Sequence, residues 1–164
     1  MARFKRWHRL RIVGSRRAGL VELALRTGVA LNPKLLTSLP SPSDALWWQL
    51  AYPWAFSAPL REASEREGVS EAVLLSFIRK ESAFQPSAES HAHARGLMQL
   101  LDKTARHLME MSATSSAPQA PELCDPSVNL TLGARYIHAL SERYQGQLPL
   151  VAIAYNAGPS HLNT

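Results

Sequence analysis

At 164 residues the chain has the length of one domain, or of one domain with an appendage. Hydrophobic residues make up 46% and charged residues 19%, which supports a buried core and excludes a disordered polymer. The net charge of +5 is concentrated at one end: residues 1–26 hold eight Lys/Arg and one acid, and the rest holds ten bases and twelve acids.

The basic start allows contact with anionic surfaces, although a solvated basic terminus is the preferred reading. Phe4 and Trp7 are too few to stack bases, so no nucleic-acid partner is expected. Ile12-Val13-Gly14 is cut off by Ser15-Arg16-Arg17, and the next apolar run contains Glu22 and Arg26. Neither a signal peptide nor a membrane span is therefore predicted, and any export is expected to be directed by sequence outside this chain. A helix is predicted over 15–31, with Leu20, Val21, Leu23 and Ala24 sharing a side, and Asn32-Pro33 stops it. Pro40, Pro42, Pro53 and Pro59 then punctuate a segment carrying Trp47, Trp48, Tyr52, Trp54 and Phe56. So many aromatics between prolines point to packing against another structural layer.

Ser70 is placed to cap a helix, Glu71 suits its positive end, and apolar residues follow at 73, 74, 77 and 78. This helix ends before Pro86, whose ring disfavours helix at Gln85. A turn and short helix are expected over 96–101, then a helix from Asp102 towards Met111 with Asp102 as its cap. Residues 112–121, rich in Ser, Ala and Pro, read as a loop. Asp125-Pro126 supplies a cap and a first-turn proline for a long helix reaching about Tyr144, which Gly146 ends. Pro149 opens a last helix that closes at Asn156-Ala157-Gly158. Cys124 is the single cysteine, so no internal disulfide can form, and no motif beside it suggests a nucleophile. No strand pattern of useful length appears: the predicted fold class is all-α, predominantly helical.

The chemistry gathers at Glu81. Leu74, Phe77, Ile78 and Glu81 stand at i, i+3, i+4 and i+7, one helix face. A carboxyl on an apolar face is partly desolvated, which disfavours its anion and keeps it protonated nearer to neutral pH, as a general acid requires. Position alone also permits a helix-end glutamate that swings into solvent or pairs with Arg79, Lys80 or Arg95. A second carboxylate, usual in glycosidases, would come from Glu89 or Asp102, and neither is convincing: Glu89 sits on a loop and Asp102 at a helix start. His91 and His93 alternate near Glu89 as zinc ligands can, but no third or fourth ligand is indicated. No metal and no cofactor is expected.

Glu81-Ser82, Pro86, Ala88, Ser90, Ala94, Gly96-Leu97-Met98-Gln99 and Thr104-Ala105 stand in one order. Asp125-Pro126, Asn129, Gly133, Tyr136 and Ala154-Tyr155-Asn156-Ala157-Gly158-Pro159 follow. This series resembles the signature of the soluble lytic transglycosylases, whose catalytic domain is lysozyme-like. The resemblance divides the chain into 1–50, a basic N-terminal helical segment and the end of a helical superstructure, and 51–164, the catalytic domain. It implies that this domain continues beyond Thr164 with further helices. The implied reaction is cleavage of the β-1,4 bond between N-acetylmuramic acid and N-acetylglucosamine in peptidoglycan, with closure of a 1,6-anhydromuramyl ring and one catalytic acid, Glu81.

Ser90, Gln99 and Leu101 match groove positions that contact glycan, with Leu101 standing where the family usually has Met. Tyr155 matches a tyrosine whose hydroxyl orients the catalytic carboxyl, and Asn156 lies beside it. His93 replaces the family's usual Gly, which implies strain if that position needs positive φ. Asp102 replaces its usual Pro. Peptidoglycan strands are the implied partner, and the periplasm or cell envelope the implied location. A lysozyme-like hydrolase and a non-catalytic peptidoglycan-binding module remain alternatives.

Overall fold

In the computed structural model, residues 52–110 and 122–157 are described continuously, with Val21, Leu25, Ala30, 33–37, Ser41, Ser43 and 47–49 as shorter pieces. Among the described residues, five α-helices can be followed from end to end: α1 (Ser57–Glu67), α2 (Glu71–Ser82), α3 (Asp102–Glu110), α4 (Pro126–Arg143) and α5 (Leu148–Ala157). Short 3-10 turns occur at Pro33–Leu36 and Glu122–Cys124. Among the described residues there are no strands, only isolated bridges, in line with the helical reading. The expected loop over 112–121 and most of the expected helix over 15–31 lie outside the described residues. Within the latter, Val21, Leu25 and Ala30 are helical, and Val21 and Leu25 are buried.

α4 is the axis of the domain. Asp125 caps it, accepting from the Ser127 and Val128 amides at 2.9 and 3.0 Å, and Pro126 fills the first turn, where its missing N–H costs nothing. Leu130, Leu132, Gly133, Ala134, Ile137 and Leu140 are buried along it. α1, α3, α5 and the 3-10 turn at Glu122–Cys124 all pack against it. The helix ends where Gln145 and Gly146 turn left-handed, at φ 52° and 72°. The Gly146 amide donates back to Ser141 O at 2.8 Å, satisfying a carbonyl of the last turn. Arg135 of α4 reaches Glu67 of α1 at 2.7 Å and the Leu108 carbonyl of α3 at 3.1 Å, so one guanidinium ties three helices.

α2 starts as expected, with the Ser70 hydroxyl accepting from Val73 N at 3.4 Å. It ends abruptly because Ala83 and Phe84 both adopt positive φ, 49° and 67°, and Phe84 is driven fully into the core. The aromatic segment before α1 packs inward only in part: Trp48 stacks on Tyr52 with centroids 5.6 Å apart and the Arg79 guanidinium of α2 lies 4.9 Å above the Tyr52 ring, while Trp54 is 40% exposed.

Residues 96–101 form a turn and not a short helix. Arg95 and Leu100 exchange both backbone hydrogen bonds, at 2.9 and 3.0 Å, and Gly96 (φ 80°) and Gln99 (φ 48°) are left-handed. Helix cannot propagate through two left-handed residues in four. The capping role expected of Asp102 is also not found. The Leu101 carbonyl accepts the Ala105 amide, so Asp102 is the first helical residue, and its carboxylate turns to Arg95.

Candidate active site

Glu81 occupies the last turn of α2, above Leu74, Phe77 and Ile78, all of which are buried. Its side chain is half-buried, and Oε1 is enclosed without a hydrogen-bond partner. Desolvation raises its pKa above the usual 4.5, and the charge of Lys80 opposes this only in part. No ion pair involving Glu81 occurs among the described residues: Arg79 stacks on Tyr52, and Arg95 is taken by other carboxylates. The half-buried acid that spacing predicted is thus present, with an acceptor left open.

The turn after Ala88 is built around Asn129. This fully buried side chain accepts the Met98 amide at 2.7 Å and donates to the carbonyls of Arg95 and Leu123 at 3.0 and 2.9 Å. All of its amide hydrogens and one acceptor position are used on backbone. Gly96 must be glycine: its φ is 80°, and a Cβ there would collide with the Leu123 carbonyl and the Asn129 amide. Gly133 makes room in the same way for Met98, whose Cγ would lie 2.6 Å from an added Cβ. Leu97, Met98 and Leu100 anchor the turn in the core.

Tyr155 of α5 packs edge-on against Phe77 (4.8 Å) and against Tyr136 (4.9 Å). Its hydroxyl donates to the Met98 carbonyl at 2.7 Å, so its hydrogen goes to the turn and not to the Glu81 carboxyl. Burial, then the neighbouring Glu81 charge, then Tyr136 push the Tyr155 pKa well above its ordinary value, which keeps it a neutral donor. Tyr155 therefore shares the electrostatic environment of Glu81 while bracing the turn.

The remaining sequence-predicted positions differ in what they offer. The Ser90 hydroxyl accepts from Ala94 N at 3.1 Å, inside a tight turn. The Gln99 amide donates to the carbonyls of Ala88 and Gly96, both at 3.0 Å, leaving its own oxygen for other partners. Leu101 is 44% exposed, a large apolar side chain facing solvent beside this turn. Asn156 is exposed, and its amide folds back to the Ala152 carbonyl at 2.9 Å. His93 has φ 60°, so the position does take the left-handed conformation that glycine favours.

Both alternative carboxylates are engaged elsewhere. Glu89 is held below the usual carboxylate range, first by the His93 hydrogen bond and also by Arg95. Asp102 accepts from Arg95 at 2.9 Å. Among the described residues no group of three or more His, Cys, Asp and Glu side chains is arranged to hold a metal ion. No described helix is long and apolar enough to cross a membrane.

A helical, lysozyme-like domain with one half-buried acid at the end of a helix is the class that this fold and site define. The chain belongs to the transglycosylase SLT domain family, whose model matches residues 58–164. It is 37% identical over 86 residues to the membrane-bound lytic murein transglycosylase C of Mannheimia succiniciproducens, 52% of this chain and 24% of that protein. Among solved structures it matches an inactive Glu-to-Gln variant of the lytic transglycosylase Slt from Pseudomonas aeruginosa, with a TM-score of 0.64 and 32% identity over 72% of this chain and 20% of the other. The 70-kDa soluble lytic transglycosylase of Escherichia coli shares the fold, with a TM-score of 0.67 at 21% identity over 87% of this chain and 22% of the other. The chain spans 19% of the length of the soluble murein transglycosylases it matches.

Proposed function

We propose that this domain is a peptidoglycan lytic transglycosylase acting in the cell envelope, with Glu81 as its single catalytic acid and base. The observation that carries the reading is the Glu81 carboxyl: half-buried, raised in pKa, with Oε1 unpartnered, while Glu89 and Asp102 are both committed to Arg95. Relatives named as lytic murein transglycosylases support the substrate class. That one such enzyme was made inactive by a glutamate-to-glutamine change supports a single decisive carboxyl.

In this mechanism the protonated Glu81 gives its proton to the glycosidic oxygen between N-acetylmuramic acid and N-acetylglucosamine. The muramyl C1–O bond breaks, and the N-acetylglucosamine side leaves as the alcohol. The muramyl C6 hydroxyl attacks C1, and its proton passes to the Glu81 carboxylate, which restores the acid. No water is consumed. A nucleophile within the substrate has a high effective concentration, so a second protein carboxylate is unnecessary. Ser90, Gln99 and Leu101 line the glycan groove in this reading: a hydroxyl, an amide oxygen and an apolar surface for a sugar face. Tyr155 and Asn156 close its α5 side. Contact of the basic residues 1–26 with anionic envelope surfaces belongs to the same proposal.

Mass spectrometry of the products tests the chemistry. Purified sacculi digested by the protein should release muropeptides one water lighter than hydrolysis products and inert to borohydride. Reducing muramyl ends throughout would identify a hydrolase and overturn the reading.

A further inference from the structure

Arg95 is the shared rung of the turn system over 88–100. Its backbone bridges Glu89 on one side and Leu100 on the other. Its side chain continues the same division, with Nη1 donating to Asp102 Oδ1 at 2.9 Å and Nη2 lying 3.6 Å from Glu89 Oε1. That Glu89 oxygen also meets His93 Nδ1 at 2.9 Å. The contacts form one chain, His93–Glu89–Arg95–Asp102, joining the 89–95 lobe to the first residue of α3. Arg95 is its least accessible member, its side chain 18% exposed.

The lobe needs such a tether. Its backbone is closed by Ser90 N to Ala94 O (2.9 Å), His93 N to Ser90 O (2.9 Å) and Ala94 N to the Ser90 hydroxyl, and His93 sits at positive φ inside it. Ser90 and His91 to His93 bury little apolar surface, so hydrogen bonds and not packing fix the lobe. His93 and Asp102 are two of the three departures from the signature, Leu101 being the third. Both fall in this one network.

We propose that Arg95 is a positioning residue: its guanidinium locks the Ser90 lobe to the start of α3 and thereby fixes the Ser90–Leu101 wall of the groove for glycan binding. The assignment of that wall rests on the reading under Proposed function. A guanidinium held by two carboxylates from separate elements restrains both translation and rotation, which an ammonium cannot do equally well. Arg95 itself touches no reacting atom in this scheme.

Two measurements separate this proposal from the assignment it rests on. Hydrogen exchange of the His93 and Ala94 amides in Arg95→Gln should accelerate about fivefold or more, while core amides of α4 keep their protection. Unchanged exchange at these amides overturns the tether whether or not the protein cleaves glycan. On sacculi, Arg95→Gln should raise KM about fivefold with kcat held within about twofold, and Arg95→Lys should recover part of the loss. A fall in kcat at constant KM, or equal loss in the Lys and Gln variants, overturns the positioning role. If the wild type leaves sacculi intact while exchange responds as expected, the tether stands and the transglycosylase assignment falls.

Discussion

Asn129 on α4 accepts the Met98 amide at 2.7 Å, a bond that spans 31 positions of chain and pins the Gly96–Gln99 turn to the central helix. Its Nδ2 donates to Arg95 O, which also accepts the Leu100 amide, and to Leu123 O, so one side chain joins three backbone groups. Replacing it strands the Met98 amide and the Leu123 carbonyl in a dry interior. Asn129→Ala should lower unfolding free energy by about 3 kcal/mol in a urea titration, and Asn129→Leu, which fills the space without the bonds, should be no better. A loss below about 1 kcal/mol would mean that the turn does not depend on this hub.

Two glycines carry separate steric demands. Gly133→Ala places a methyl group 2.6 Å from Met98 Cγ, and a flexible methionine can shift in response. The expected cost is about 1–3 kcal/mol. Gly96→Ala meets backbone oxygen and demands φ 80°, so neither neighbour can yield. This variant should be the more destabilised of the two by thermal melting. The reverse order would contradict the packing described at the turn.

Tyr155→Phe removes the donor to the Met98 carbonyl but keeps the ring against Phe77 and Tyr136. A loss of about 1 kcal/mol is expected from the stranded carbonyl. The Tyr155 hydroxyl gives its hydrogen to Met98 and makes no hydrogen bond to Glu81. The pH at which activity falls should therefore shift little in the variant. A large shift would show a direct bond between the hydroxyl and the carboxyl.

Burial raises the Glu81 pKa above 4.5, so the folded protein holds this proton more tightly than the unfolded chain does. The resulting stabilisation is complete below the unfolded value and is lost as pH rises through the raised folded one. Stability measured from acid to neutral pH should consequently gain in Glu81→Gln relative to wild type as pH increases, because the amide has no proton to lose. If the difference between the two is constant with pH, Glu81 is not desolvated. Activity follows the same group, declining as pH rises through the folded value, since the first step needs the acid form.

Much of this arrangement was legible in local sequence. The i, i+3, i+4, i+7 spacing placed Glu81 on the buried face of α2, and Asp125-Pro126 marked the start of α4 because capping is a short-range effect. Asp102 was misjudged, because a first-turn carboxylate satisfies the same sequence pattern whether it caps its own helix or reaches another element. Its true partner, Arg95, lies on a separate turn, and no periodicity links the two. The expected short helix over 96–101 failed for a related reason: Gln99 turns left-handed in this structure, and nothing in its residue type demands that. The Tyr155 hydroxyl similarly chose the nearest carbonyl over the carboxyl, a choice fixed only by tertiary geometry.

The central claim is that one half-buried carboxyl both starts and finishes glycan cleavage. Release of soluble muropeptides from purified sacculi, followed over time for wild type and Glu81→Gln with matched melting temperatures, tests it most directly. A fall of at least about a hundredfold is expected in the variant, the scale lost with a general acid, with anhydro ends absent from what little is released. Release at the wild-type rate would contradict it.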